Sequence, residues 1–128
     1  VPFVDALTTI LKPELPLTAG EWEEWGNPIE SEDVYEYMRS YSPVENVRAT
    51  EYPAVLSTPS LNDIRVFYVE PTKWIQVLRE KATNDPVARP ILEKIEMVAG
   101  HAGKSGREGR WEAQAFVLAW LLEQIGAA

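Results

Sequence analysis

From residue 53 onward the chain alternates short β-rich runs with longer helical patterns, and this alternation limits the fold more than any other feature. Residues 53–58 (PAVLST) read as a short buried strand with β-branched content. A helix from about 70 to 82 follows. Pro71 suits a first helical turn, where its missing N–H costs little, and Glu70, Trp74, Val77, Leu78 and Lys81 fall at helical spacing. Asn84-Asp85-Pro86 ends it. Residues 91–98 (ILEKIEMV) fit helix or strand by periodicity, but their place after a strand and a helix favours a second strand. A Gly-rich loop at 99–106 leads into the longest amphipathic helix, 107–125, with Trp111, Ala115, Val117, Trp120, Leu121 and Leu122. The order β-α-β-α is the signature of a parallel sheet covered by helices, so the fold class is α/β. Two strands come from this pattern, or three if Val1–Phe3 ends another. Such a sheet has an uncovered edge, and the chain is expected to be the last part of an α/β fold, with an incomplete sheet.

The preceding residues are more irregular. Residues 4–11 (VDALTTIL) suit a short helix stopped near Pro13, and Pro13, Pro16 and Gly20 mark a loop. Glu21–Trp25 is a dense acidic and aromatic cluster closed by Gly26-Asn27-Pro28. Ser31 reads as the N-cap of a helix from about 32 to 40, with Tyr35 and Met38 on one face.

The net charge of −8 is concentrated. Residues 14–51 hold ten acids and two bases, Arg39 and Arg48, whereas residues 52–128 hold nine of each. Such a chain is a poor partner for a phosphate backbone, so no nucleic acid is expected. A cationic ligand would be drawn to the acidic segment, although on charge alone a solvated acidic face is the better reading. There is no cysteine, which excludes a disulfide scaffold, a zinc-thiolate site and a thiol nucleophile. No apolar run reaches the roughly 18 residues that a membrane helix needs. The expectations are one domain spanning 1–128, no membrane partner, no metal or cofactor, and a cytoplasmic setting. Because the first residue is Val and no signal peptide precedes it, the expectation is that either something was removed or this is a piece of a longer chain.

His101, the only histidine, lies in Ala99-Gly100-His101-Ala102-Gly103, directly after the second strand. Asp63 occupies the corresponding loop after the first. Functional loops of open α/β sheets gather at the strands' carboxyl ends, and Asp followed by His matches the chain order of an α/β-hydrolase triad. In that chemistry His is the general base, and Asp fixes its tautomer and stabilises the imidazolium. By spacing alone, the two are equally a loop histidine and a turn-forming aspartate. No G-x-S-x-G occurs in the 128 residues. Gly103-Lys104-Ser105-Gly106 lies after the His and lacks the spacing of a nucleophile elbow or a phosphate-binding loop; it reads as a polar helix-start loop.

Several long segments, in the same order, carry a resemblance: VPFVDALTTIL, PLTAGEWEEWGNP, YEYMRSYSPVENV, LNDIRVFYVEPTKW and AGHAGKSGR. Together they resemble the oligopeptidase B branch of the prolyl oligopeptidase family of serine peptidases, over nearly the whole chain. The resemblance implies an α/β-hydrolase domain, with an N-terminal propeller, the oxyanion donors and the nucleophile elbow all lying before Val1. It implies that Asp63 and His101 are triad members and that Arg65 binds a substrate carbonyl. Glu21 and Glu23 would receive an Arg or Lys side chain ahead of the cleaved bond. A buried carboxylate pair is costly alone and is offset by a guanidinium bound between its members. The alternative for both is surface acidity with the tryptophans packed beneath, second in rank for Glu21 and level for Glu23. Ala102 departs from the Gly of many relatives.

On this basis the chain is expected to be a C-terminal part of an oligopeptidase that cleaves short basic peptides, inactive by itself because it lacks the serine. Its expected partners are those peptides, the preceding part of the same protein, and further copies of itself, which associate through the uncovered edge and apolar helix faces or exchange elements. One alternative is a non-enzymatic module that binds cationic peptides. The other is part of another α/β-hydrolase, an acyl-peptide hydrolase or esterase, for which the acidic cluster has no use.

Overall fold

The computed structural model describes residues 2–127. Seven elements follow one another: α1 (Ala6–Ile10), α2 (Thr18–Trp25), α3 (Glu32–Tyr41), β1 (Val55–Ser57), α4 (Val69–Lys81), β2 (Ile91–Glu93) and α5 (Arg107–Gln124). The strands are parallel, with Val55 opposite Ile91, Leu56 opposite Leu92 and Ser57 opposite Glu93, and α4 forms the crossover. The sheet is α/β as expected and has two strands among the described residues. Pro2 and Phe3 belong to neither helix nor strand, so the third strand considered for Val1–Phe3 is absent there; Val1 lies outside the described residues.

Both strands are shorter than the sequence suggests, and Pro59 supplies a reason. In the ladder Val55 N–H donates to Pro90 O, and Leu61 N–H donates to Glu96 O. Stepping by two residues, the intervening donor would be residue 59, and proline has no N–H to give. Pairing resumes at a single bridge between Ser60 and Glu96. The interruption carries both chains onward side by side, which keeps the loops after the strands in register.

Two apolar clusters form separately. Val47, Ile75, Leu78 and Ile91 make one, flanked by Tyr52, Val55, Trp74, Val77 and Ala82. The α4 stripe is therefore centred on Pro71, Ile75 and Leu78, not on Trp74 and Lys81; Trp74 and Val77 lie at its margin and Lys81 is exposed. Leu7, Ile10 and Met38 make the second cluster, where α1 meets α2 and α3. Each fully buried aliphatic side chain contributes about 1.5–3 kcal/mol.

Glu70, 2% exposed, joins the clusters. Its Oε2 accepts from the backbone N–H groups of Val4 and Asp5, both at 3.2 Å, and its Oε1 accepts from Thr9 Oγ1 at 2.6 Å. Burial pushes this carboxyl above its ordinary pKa, a rise that the Thr9, Asp5 and Val4 hydrogen bonds only partly offset. Beside it, Lys73 Nζ donates to Asp5 Oδ2 at 2.8 Å and to Thr8 Oγ1 at 3.2 Å.

Residues 13–17 form the expected loop, but α2 takes in Gly20 and the acidic-aromatic cluster at 21–25. It is fixed by tertiary bonds: Thr18 Oγ1 donates to Thr9 O, and Trp22 Nε1 donates to Ile10 O at 3.0 Å. Helix α3 begins at Ser31, whose Oγ accepts from Val34 N–H, as its sequence suggests. Helix α5 is the largest departure in burial. It buries none of its residues fully, and Trp111, Phe116, Leu118, Leu121 and Leu122 are exposed.

Gly26 ends α2 with φ +90°, and a Cβ there would stand 2.8 Å from Val34 Cγ1. Gly26→Ala is expected to destabilise the chain by roughly 1–3 kcal/mol. Urea unfolding checks this, and an unchanged midpoint would show that the α2–α3 turn accommodates a methyl group freely.

Candidate active site

The loops after β1 and β2 meet because the interrupted ladder delivers them side by side. Asn62 Nδ2 donates to Met97 O and Val98 O, both at 3.2 Å, which ties one loop to the other. Gly100 lies against Asn62, whose carbonyl oxygen would be 3.3 Å from an added Cβ. Gly103 closes the turn over His101 and Ala102 with φ +76°, its N–H donating to Gly100 O at 3.0 Å.

This brings together the two residues that the sequence placed on separate loops. His101 Nδ1 lies 2.9 Å from Asp63 Oδ2, with the His101 side chain 41% exposed and that of Asp63 fully covered. Asp63 Oδ1 accepts from the N–H groups of Arg65 at 2.9 Å and Val66 at 3.0 Å, an Asx-type turn. Burial pushes the Asp63 carboxyl up, but the Arg65 and Val66 amides and the His101 ring together hold it below the usual range. An ionised carboxylate only accepts, so Nδ1 carries the ring proton, and Nε2 is the nitrogen available to accept another. A base oriented in this way suits proton transfer at a nucleophile. Among the described residues no seryl or threonyl hydroxyl is hydrogen-bonded to the His101 ring.

Arg65 and Val66 also line a cavity of about 250 Å³. Its opposite wall is Thr9, Thr18, Glu21 and Trp25, with Phe3, Phe67 and Leu15–Leu17 completing the lining. Glu21 and Arg65 therefore share one cavity, with a half-buried carboxylate and an exposed guanidinium residue. Glu23 does not join them. It is exposed and absent from the lining, because positions two apart on a helix point to different faces. Among the described residues, then, Glu21 lines the cavity and Glu23 lies on the surface.

Trp25, Phe3 and Phe67 escaped the sequence analysis as cavity residues, and so did Asn62 as a loop tie. The spacing of Glu21, Trp22 and Trp25 is helical and was the available signal for α2. Nothing local in the sequence signals the Asn62 contact, which spans 35 residues. No cluster of three or more His, Asp or Glu able to hold a metal occurs among the described residues. No described helix is long and apolar enough to cross a membrane.

Comparison with known proteins follows the same lines. The sequence pattern of the prolyl oligopeptidase family matches residues 1–128. The chain is 46% identical over 126 residues to Protease 2 of Moraxella lacunata, covering 98% of this chain and 18% of that protein. It is 43% identical over 128 residues to dipeptidyl aminopeptidase BI of Pseudoxanthomonas mexicana, covering all of this chain and 17% of that protein. Its structure superposes on oligopeptidase B from Leishmania major with a TM-score of 0.91 at 44% identity, covering 98% of this chain and 17% of that one. The chain thus spans less than a fifth of the length of these relatives.

The low Asp63 pKa gives a stability contribution present above the unfolded carboxylate value, about 3.9, and lost as pH falls through the folded value. Asp63→Asn is expected to cost about 1–3 kcal/mol at neutral pH, the deficit narrowing below pH ~3.9. Urea titrations of both chains across pH check the sign, and a deficit independent of pH would contradict it.

Proposed function

The chain belongs to the prolyl oligopeptidase family, and on that premise we propose that it carries the base, its orienting acid and part of the specificity pocket of a serine peptidase cleaving short peptides after Arg or Lys. The observation that carries this is the His101–Asp63 pair at 2.9 Å beside a cavity that holds Glu21 and Arg65. Asp63 fixes the Nδ1–H tautomer of His101. The Nε2 of His101 takes the proton of a serine hydroxyl as its oxygen attacks the peptide carbonyl, and then delivers that proton to the departing amine. Water repeats the sequence on the acyl-enzyme and releases the acid. With no G-x-S-x-G in these 128 residues, the serine comes from polypeptide beyond them. The chain alone is then inactive, since a base without a nucleophile retains little of a triad's effect.

Glu21 receives the basic side chain, with a charge-assisted bond to a guanidinium or ammonium group. Arg65 holds a carbonyl of the peptide. Glu23, on the surface, contributes through the field of the acidic segment, which raises the local concentration of cationic peptides. The same proposal gives the exposed apolar face of α5 an occupant: the remainder of the hydrolase domain. When that remainder is missing, copies of the chain are expected to associate through this face, and light scattering at high concentration should give more than one chain's mass; a monomer throughout would count against it.

The test of specificity uses the chain joined to its catalytic domain. Glu21→Gln is expected to lower kcat/KM for Arg substrates by about 10–100-fold, as for the loss of one charge-assisted bond, and to leave neutral substrates unchanged. An equal loss on both would sink the assignment. A parent that prefers neutral residues before the cleaved bond would point to another α/β-hydrolase. Salt-sensitive binding of an Arg peptide with no turnover in the assembled domain would favour the binding module.

A further inference from the structure

The cavity that holds Glu21 and Arg65 has two walls from distant parts of the chain. One is built on α1 and α2, with Thr9, Thr18, Glu21 and Trp25; the other is the turn of Arg65, Val66 and Phe67. Glu70 reaches both. Its own N–H donates to Phe67 O at 3.0 Å, which fixes it to the turn. Its carboxylate takes the N–H groups of Val4 and Asp5 and the hydroxyl of Thr9, which fixes it to α1. From there the next two residue contacts lead to α2. Thr9 O accepts from Thr18 Oγ1 at 3.2 Å, and Ile10 O accepts from Trp22 Nε1 at 3.0 Å. Thr18 and Trp22 bracket Glu21 on the helix.

We propose that Glu70 is a positioning residue for this cavity: its carboxylate holds α1 against the Arg65–Phe67 turn, and through Thr9 and Ile10 sets where Glu21 stands relative to Arg65. Burying a carboxylate is costly, and a purely structural joint could be made from apolar groups at lower cost. Three donors on one buried carboxylate fix a distance and an angle, which apolar packing between α1 and α4 would leave free to slide. The ion pair of Lys73 with Asp5 joins the same helices at a half-exposed site and touches neither Thr9 nor the cavity. Positioning therefore belongs to Glu70 and mere attachment to Lys73. The link to cation binding rests on the function proposed above; the link from Glu70 to α2 does not.

The experiment compares the 128-residue chain with Glu70→Gln, Thr9→Val and Lys73→Gln variants. Two properties are read: exchange of the Trp22 indole proton by NMR, and affinity for arginine amide. Glu70→Gln leaves one acceptor oxygen for three donors. It is expected to speed Trp22 indole exchange and weaken arginine amide by about tenfold each, the scale of one or two lost hydrogen bonds to a charged group. The His101 Nδ1 proton resonance stays in place, showing that the Asp63 loop is intact. Thr9→Val, which removes one strut without a change in volume, moves both properties in the same direction by less, and it serves if Glu70→Gln does not fold. Lys73→Gln changes neither. Parent-level exchange and affinity in Glu70→Gln, or in Thr9→Val when the former is unfolded, would overturn the proposal, and so would equal effects from Lys73→Gln. If the parent chain binds no arginine amide while Glu70→Gln still speeds Trp22 exchange, the Arg/Lys pocket fails and the clamp on α2 stands.

Discussion

Glu70 is the joint on which the arrangement depends. The chain does not build one continuous apolar core. It builds two, one on α4 and the sheet and one where α1 meets α2 and α3. What crosses between them is a buried carboxylate with three donors and, outside it, the Lys73–Asp5 pair. An acid two residues into α4 would ordinarily face water and favour the helix N-terminus through the dipole. Here it turns inward and accepts backbone N–H groups that α1 and its approach leave unpaired. Desolvation raises its pKa, and the geometry it imposes brings residues some sixty positions apart into one frame.

A second constraint is the missing donor at Pro59. A regular ladder would have carried the two strands on as a longer sheet. Interruption shortens them to three residues each and then re-pairs them once, at Ser60 and Glu96. Beyond that bridge the two loops are locked by Asn62, and Asp63 is folded back on its own following amides. The 2.9 Å contact of Asp63 with His101 is the end point of these local devices. The same amides belong to residues that line the cavity of Glu21 and Arg65, so the Asp63–His101 pair and that cavity share a scaffold two residues long.

Much of this was legible. The β-α-β-α order, the Ser31 cap and the place of Pro71 in its helix follow from short-range chemistry; the rule that loops gather at the strands' ends made Asp63 and His101 candidates, and the family resemblance, not their spacing, named them as a pair. What misled was of one kind. Gly20 carried the expected loop beyond Pro13 and Pro16 into what is helix, because α2 is held by bonds from Thr18 and Trp22 to the α1 backbone. Trp74 drew the α4 stripe toward itself, although the smaller Ile75 occupies the buried centre.

The sequence by itself determined the order of helix and strand after residue 53, where the charge lies, and that Asp63 and His101 fall in the loops after the two strands. These depend on periodicity, caps, turn formers and residue type, all local. Only the tertiary structure decided that Glu21 lines one cavity with Arg65, that α5 leaves its apolar residues uncovered, and that Glu70 is buried. Those outcomes rest on contacts between residues tens of positions apart. Their energies exist only once the chain has closed those loops and removed the groups from water.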